Sequence, residues 1–323
     1  MNTTREVLFV VLPRLVLLDL AGPADAFRNA EAQCPGNYRL RFVGAQPSLR
    51  AAVGLTLADL EPLPARLAPG SIVVLTGISA ARIDPQEPSA RHVIEWLRSP
   101  ALRPELLMCV CAGAVLGAYA GLLAGRSCTT HHAHLEELRR IEPRAQVLDN
   151  RIFVEDGALV TSAGVTAGLD LALHVIGRQL GARVAAEVAR DLVVYLRRAG
   201  SDPALSPWVM HRNHLHPAVH RVQDAVAREP GARWSARELS QVACTSPRNL
   251  ARLFAEHARC SPHDYVQLIR FALARQLVTQ SRLDLERVAA RAGFRSAQHL
   301  RRVWSRWESR PPSAFRLREA QAA

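Results

Sequence analysis

Cys111 is the residue whose type and setting most directly suggest chemistry. It closes an apolar run over residues 106–110, and Ala112, Gly113 and Ala114 follow it before a helical stretch. Small residues at a strand-to-helix junction permit a sharp elbow that presents one side chain at a helix N-terminus. A thiol held there has its pKa lowered by the helix dipole and can act as a nucleophile. The plainer reading is a small buried hydrophobe. Arginine supplies the second chemistry. The chain has 41 basic residues, all of them Arg, against 29 acidic ones, for a net charge of +12. Residues 1–200 carry a balance of only +2, whereas residues 201–323 carry +10. A compact basic module suits a polyanionic partner, most often nucleic acid. A merely basic surface is the alternative.

Other reactive residue types carry less. Cys34, Cys109, Cys128, Cys244 and Cys260 form no Cys-x-x-Cys pair and read as reduced thiols. His211, His214, His216 and His220, in and just after the linker, could ligate a metal. They read as solvated loop histidines, and no metal or other cofactor is expected. His132 and His134, beside His131, read as surface residues.

These groups must be positioned by two differently built halves. A chain of 323 residues is about twice a typical domain. Its 49% apolar and 22% charged residues exclude a disordered chain. No window reaches the roughly 18 uncharged apolar residues of a membrane span, so a soluble, cytoplasmic protein is expected. Short β-type runs at residues 7–11, 38–43, 71–75 and 106–110 alternate with helical stretches at 90–98, 112–120, 135–141 and 166–179. A further helix opens at Gly22-Pro23, with the proline in its first turn. Residues 152–161 read as a hairpin turning at Asp156-Gly157. The pattern specifies an α/β domain, a flavodoxin-like layered sandwich with a mostly parallel sheet, over residues 1–198. Gly200, Pro203, Pro207 and Pro217 break the periodicity, so residues 199–217 read as a linker. Residues 218–323 form an all-α domain.

The all-α half repeats itself at a displacement of 50 residues. Ser246 matches Ser296, Leu250 matches Leu300, Arg252 matches Arg302, and Phe254 matches Trp304. Pro262 and Tyr265 continue the register with Pro312 and Phe315. Each copy reads as a helix, a short turn and a second helix capped by Ser. This is the helix-turn-helix plan, twice. By spacing, the first recognition helix presents Arg248, Asn249, Ala251 and Arg252, and the second Gln298, His299, Arg301 and Arg302. Leu250, Leu253, Phe254, Leu300, Val303 and Trp304 turn inward. Arg bonds guanine bidentately, and Asn or Gln reads adenine. For any single Arg, a phosphate contact is the plainer role. The apolar segment 262–281 would fix the two motifs for adjacent major grooves on one face of bent DNA.

Residues 218–323 resemble an AraC-type DNA-binding domain. The likeness is carried by Leu239, the run from Ser246 and Pro247 to Phe254, Ser261-Pro262 and Tyr265. In the second half it is carried by Val288-Ala289, Gly293-Phe294, Ser296, Leu300-Arg301-Arg302, Trp304, Pro312 and Phe315-Arg316. The resemblance implies base contacts from Arg248, Ala251, Arg252, Gln298, His299 and Arg302. Cys244 stands at the first turn's usual Gly, and Arg259 and Ser309 replace Gly after each recognition helix. A side chain in a left-handed turn costs about 1 kcal/mol, so a slightly distorted first motif is expected.

The first half is similar to glutamine-amidotransferase-like proteins of the PfpI protease and isonitrile hydratase type. The matching residues are Asp19-Leu20-Ala21-Gly22-Pro23, Val110-Cys111-Ala112-Gly113-Ala114, Gly121-Leu122-Leu123, Gly125-Arg126, Thr129-Thr130-His131 and Thr161-Ser162-Ala163-Gly164. Fused to an AraC-type domain, this half resembles GlxA-type transcriptional regulators. The resemblance implies that Asp19 hydrogen-bonds Cys111, and that Asp19, Gly77, Cys111, His131, Thr161 and Ser162 line a ligand pocket. Asp19 as a plain helix cap is the alternative. Ala112 stands where proteases of this fold carry His and isonitrile hydratases carry Thr. Thr76-Gly77-Ile78 replaces the usual Gly-Gly loop. Acyl transfer would then lack its general base and its oxyanion donors. The expected function is a sequence-specific DNA-binding transcriptional regulator, not an enzyme, controlled by a small molecule in the first domain. A cysteine-dependent hydrolase or hydratase tethered to DNA is the alternative. The implied partners are double-stranded DNA, a small-molecule effector and a second copy of the chain, with room for RNA polymerase.

Overall fold

An unbroken run of β-branched and large apolar residues, buried from Val7 onward, makes the strand β1 (Arg5–Val11) and demands cover on both faces. The computed structural model describes residues 4–194, 198, 200, 207–208, 210–212, 214–308 and 310–315. The expectations for Ser309, for Arg316 and for residues 199, 201–206, 209 and 213 of the linker lie outside the described residues. The chain divides into two compact units, residues 1–204 and 205–323.

In the first unit β1 is followed by α1 (Leu17–Gln33), β2 (Tyr38–Gly44), β3 (Leu49–Arg50), β4 (Thr56–Leu57) and β5 (Glu61–Pro62). Next come β6 (Ile72–Leu75), α2 (Pro88–Leu97), β7 (Leu106–Val110), α3 (Gly113–Tyr119), β8 (Ser127–Cys128), α4 (Leu135–Ile141) and β9 (Gln146–Val147). The unit ends with β10 (Phe153–Asp156), β11 (Leu159–Ser162), α5 (Thr166–Leu180) and α6 (Ala182–Asp191). Seven strands make one sheet in the order β10-β11-β7-β6-β1-β2-β5, parallel except for the β10–β11 pair. From β1 the chain winds outward to β2 and then returns to β6 and β7 on the other side. Right-handed crossovers therefore put α1 on one face and α2 and α3 on the other. Accordingly α1 packs with α5 and α6, and α3 with α2 and α4. The reversal leaves the carboxyl ends of β1 and β6 flanking a crevice, the usual ligand position in open α/β sheets.

Two local expectations are corrected. The first helix begins at Leu17 rather than at Gly22, so Pro23 lies in its interior. The proline ring packs toward Gly168 on α5, where a Cβ would stand 3.3 Å from it. The ring is thus packed against α5 at the point where α1 lacks an amide donor. The earlier start also places Asp19 in the first helical turn. In the hairpin, Asp156 pairs with Leu159, so the two-residue loop is Gly157-Ala158, with Gly157 at φ +61. Glycine takes the first loop position because the turn needs a positive φ there.

The second unit holds α7 (Pro217–Arg228), α8 (Ala236–Val242), α9 (Pro247–Leu253), α10 (Pro262–Gln280), α11 (Leu285–Arg291) and α12 (Ala297–Trp304). Ser246 and Ser296 cap α9 and α12, accepting the Asn249 and His299 amides at 3.2 and 3.1 Å. Cys244 at φ +54 and Gly293 at φ +83 occupy the same place in the two turns. Each turn closes with matching bonds, Cys244 N to Gln241 O with Thr245 N to Ser240 O, and Gly293 N to Ala290 O with Phe294 N to Ala289 O. The first turn therefore matches the second, because these two bonds hold Cys244 left-handed. The copies diverge later: α9 runs into a π-helical turn over Phe254–Ala258, ended by Arg259 at φ +53.

Each motif has its own core. Leu239, Leu250, Leu253 and Phe254 pack in one, and Val288, Leu300, Val303 and Trp304 in the other. The helix α10 serves both, giving Tyr265, Val266 and Ile269 to the first and Phe271, Ala274 and Val278 to the second. No helix among the described residues is long and apolar enough to cross a membrane.

The closeness of α3 to the sheet gives a test. A Cβ on Gly113 would stand 2.3 Å from the Leu75 carbonyl oxygen. Gly113→Ala is expected to destabilise the protein by about 1–3 kcal/mol through overpacking, read as a lower urea midpoint.

Candidate functional site

The elbow at Cys111 exists, but it is closed. Cys111 follows β7 directly, at φ +56, and is only 5% exposed. Its amide donates to the Ser162 carbonyl at 3.1 Å, and its carbonyl accepts the Thr130 hydroxyl at 2.7 Å. β11 and the segment after β8 thus clamp the strained backbone. Two glycines press on the residue from either side. A Cβ on Gly77 would lie 2.6 Å from the Cys111 Cβ, and one on Gly164 would lie 2.2 Å from it. Both positions must be glycine for the chain to pass.

Asp19 reaches this point from the first turn of α1. It is fully buried, and its Oδ1 accepts the Val165 amide at 2.5 Å. Val165 is a β-branched residue at φ +52 and ψ −117, and this bond holds its unfavourable backbone at the start of α5. Asp19 is thus not the cap of its own helix, whose N-cap is Val16. Its Oδ2 makes no well-formed hydrogen bond, although the Cys111 thiol and the Gly77 amide lie near enough to favour its ionised form. Burial outweighs all three neighbours and raises the carboxyl above its ordinary range.

The same balance corrects the expectation of an activated thiol. Burial, and after it the Asp19 charge, push the Cys111 thiol far above its ordinary range. The Ala112 amide pulls the other way and loses. The short α3 offers too little field to offset desolvation among packed backbone.

The remaining expected pocket residues differ in how far the fold engages them. Thr161 Oγ1 accepts the Thr129 amide at 2.8 Å, which uses it in the fold. Ser162 Oγ is buried without a partner. His131 is half-buried, and its Nδ1 accepts the Ala133 amide at 3.4 Å. Burial, with the charges of His132 and His134 behind it, pushes His131 down to about 4, so it is neutral at pH 7. The structure thus brings Asp19, Gly77, Cys111 and the Ser162 backbone together. The residue next to His131, Thr130, makes the bond to Cys111. Gly164, Val165 and Thr130 were not read as site residues. The Thr161-to-Gly164 and Thr129-to-His131 strings were the signals that could have found the first and the last.

In the second unit the recognition faces are solvent-facing as spaced. Arg248, Ala251, Arg252, Gln298, Arg301 and Arg302 are exposed, and Asn249 and His299 are partly so. The two faces differ in freedom. Asn249 donates to Thr245 Oγ1 at 2.8 Å and accepts from Arg252 at 3.0 Å, and Arg252 also pairs with Glu256 at 2.9 Å. Arg301 and Arg302 have no acidic partner among the described residues. His299 packs edge-on against Phe294. The loop histidines cluster instead of standing in solvent: His214 lies 4.4 Å from His220, and His216 lies 4.6 Å from His257. Among the described residues no group of three or more His, Cys, Asp or Glu could hold a metal ion.

Comparison with known proteins matches both units. Residues 5–178 match the DJ-1/PfpI family, and residues 239–318 match a helix-turn-helix domain. The chain is 28% identical over 312 residues to the HTH-type transcriptional regulator GbdR of Pseudomonas aeruginosa, covering 94% of this chain and 82% of that one. It is 31% identical over 212 residues to the HTH-type transcriptional regulator GlxA of Rhizobium meliloti, covering 65% and 64%. A solved ThiJ/PfpI family protein from Pseudomonas syringae superposes with a TM-score of 0.53 at 20% identity, over 74% of this chain and 90% of that one. That likeness is one of fold.

Thiol labelling tests the closed elbow. With iodoacetamide at neutral pH, the exposed Cys244 is expected to react well before Cys111. Asp19→Asn keeps an acceptor for Val165 and removes the charge that raises the thiol. Cys111 is therefore expected to label faster in that variant at the same pH, by mass spectrometry. Slower labelling in the variant would contradict this account.

Proposed function

The chain belongs to the DJ-1/PfpI family, joined to an AraC-type helix-turn-helix domain, and from that premise we infer that it is a DNA-binding transcriptional regulator whose first unit holds a small-molecule effector. The observation that carries the DNA-binding reading is the pair of Ser-capped recognition helices built onto one helix, α10, with Arg301 and Arg302 exposed on α12. Two motifs held by a shared helix can occupy successive major grooves. The surplus of positive charge lies in the same half of the chain.

The effector is assigned to the carboxyl ends of the strands, where it would open the closed point at which Asp19, Gly77 and Cys111 meet. What supports this is a pair of buried polar atoms without hydrogen bonds, Asp19 Oδ2 and Ser162 Oγ. Buried polar groups are rarely left so unless something else completes them. A neutral His131 offers a further polar contact. The second reading, a cysteine-dependent hydrolase or hydratase tethered to DNA, needs a thiolate and a base. The raised thiol of Cys111 and the apolar Ala112 beside it speak against turnover. The resemblance to GlxA-type regulators supports a homodimer formed through the first unit.

Full-length protein is expected to bind duplex DNA with an affinity that falls steeply with salt, as Arg–phosphate contacts release counterions. Arg302→Ala is expected to cost about 1–3 kcal/mol on the preferred duplex and to relax preference at one base step. Fluorescence anisotropy on a panel of single-base variants checks both. An equal loss on every sequence would mark Arg302 as a phosphate contact. Light scattering at working concentration is expected to give the mass of a dimer, and a monomer would remove that part of the reading.

A further inference from the structure

A cleft of about 890 Å³ opens in the second unit, with walls drawn from the loop that leads into α8, from α10 and from the second motif. Five arginines line it: Arg233 before α8, Arg270 on α10, Arg295 in the second turn, Arg302 on α12 and Arg306 just beyond. Among the described residues no Asp or Glu lines it. Like charges gathered around one concavity repel, and none of these lining residues is an acid that would offset them. The effect is felt at His299, which also lines the cleft. Burial lowers its pKa first, and Arg302, Arg295 and Arg270 add to the shift.

The cleft also contains a built polar group. Gln267 on α10 is only 5% exposed, and its Oε1 has no partner. Its Nε2 lies 3.4 Å from His263 Nε2. With the amide turned over, His263 donates to Oε1 and the Gln267 NH2 is free to donate to an incoming oxygen. Arg270 is partly spent on structure, donating to the Pro230 and Ala232 carbonyls at 2.9 and 2.7 Å. It also lies against the second turn, where a Cβ on Gly293 would stand 2.8 Å from its Nε. The outer arginines have no such partners among the described residues.

We propose that this cleft is a seat for a phosphate group, supplied by the DNA strand that passes from one motif's groove to the next. The inference rests on the DNA-binding reading and adds a place to it. Arg302 belongs both to the recognition face and to the cleft, so the cleft opens beside bound DNA. Because its walls join the loop before α8 to the second motif across α10, a phosphate held there would fix the path of the backbone against the rigid pair of motifs. Arg guanidinium forks and an amide N–H are the donors such an oxyanion takes.

The test uses full-length protein and a duplex that the protein selects from a random pool. If the wild type selects no duplex, the DNA-binding reading fails before the seat is examined. Single neutral methylphosphonate linkages are then scanned along the duplex, with wild type and with the double variant Arg233→Ala/Arg306→Ala. One linkage between the two contacted grooves is expected to cost the wild type about tenfold in affinity and the double variant little more. The log–log salt slope of the double variant is expected to fall by about 1, as one neutralised phosphate is lost, with base preference unchanged. Gln267→Leu, which keeps the volume and removes the amide, is expected to lose affinity at the same linkage. If it fails to fold, the arginine pair still decides. In a parallel arm, DNA-free protein is heated with inorganic phosphate or with chloride at equal ionic strength. A phosphate-specific rise in Tm that the double variant lacks supports the seat and, with no linkage singled out, assigns it to a free phosphate compound. If all linkages cost both proteins alike and phosphate shifts neither, the seat is overturned.

Discussion

The function of the second unit depends on one helix being built into two cores at once. The N-terminal part of α10 buries Tyr265 and Ile269 with the first motif, and its C-terminal part buries Phe271 and Val278 with the second. A helix is stiff over this length, so neither motif can turn without opening a core, at a cost of several kcal/mol per large side chain exposed. The spacing of the two recognition helices is thereby fixed before DNA arrives. Arg270 adds a polar clip at the middle, holding the loop before α8 while lying against the turn before α12.

In the first unit the governing contest is between a helix end, which favours an anion, and burial, which opposes it. Cys111 stands at the start of α3, yet Gly77 and Gly164 bring backbone so close that almost no water reaches the thiol. Desolvation scales with that exclusion, whereas a short helix contributes only a fraction of a charge. Asp19 loses the same contest and is raised as well. Two neighbouring acids both biased toward their neutral forms make a poor nucleophilic centre. Asp19 also holds the strained Val165 that begins α5, so a change at its carboxyl reaches that helix.

The two motifs share a plan without sharing a surface. Their turns close with the same bonds whether the left-handed residue is Cys244 or Gly293. The recognition faces differ because Glu256 lies one turn after Arg252 and occupies its guanidinium, with Asn249 drawn into the same network. Arg252 and Asn249 are thus held by neighbours on their own helix, whereas Arg301 and Arg302 have no acidic partner among the described residues.

Much of this was legible in residue order alone. Strand and helix periods follow from local alternation of apolar residues, so the parallel α/β unit, the 50-residue repeat, the Ser246 and Ser296 caps and the elbow at Cys111 could all be read from spacing. Charge is additive along the chain, and so the basic half declared its class of partner without a fold. What spacing could not give were quantities set by distant segments. The start of α1 at Leu17, with Pro23 inside it, depends on the fit against α5. The upward push on the Cys111 thiol depends on Gly77 and Gly164 arriving from the ends of two other strands. The convergence of Arg233, Arg270 and Arg306 on one cleft depends on how two cores are mounted on α10. Burial and field strength are properties of three-dimensional neighbours, and a sequence records only the neighbours along the chain.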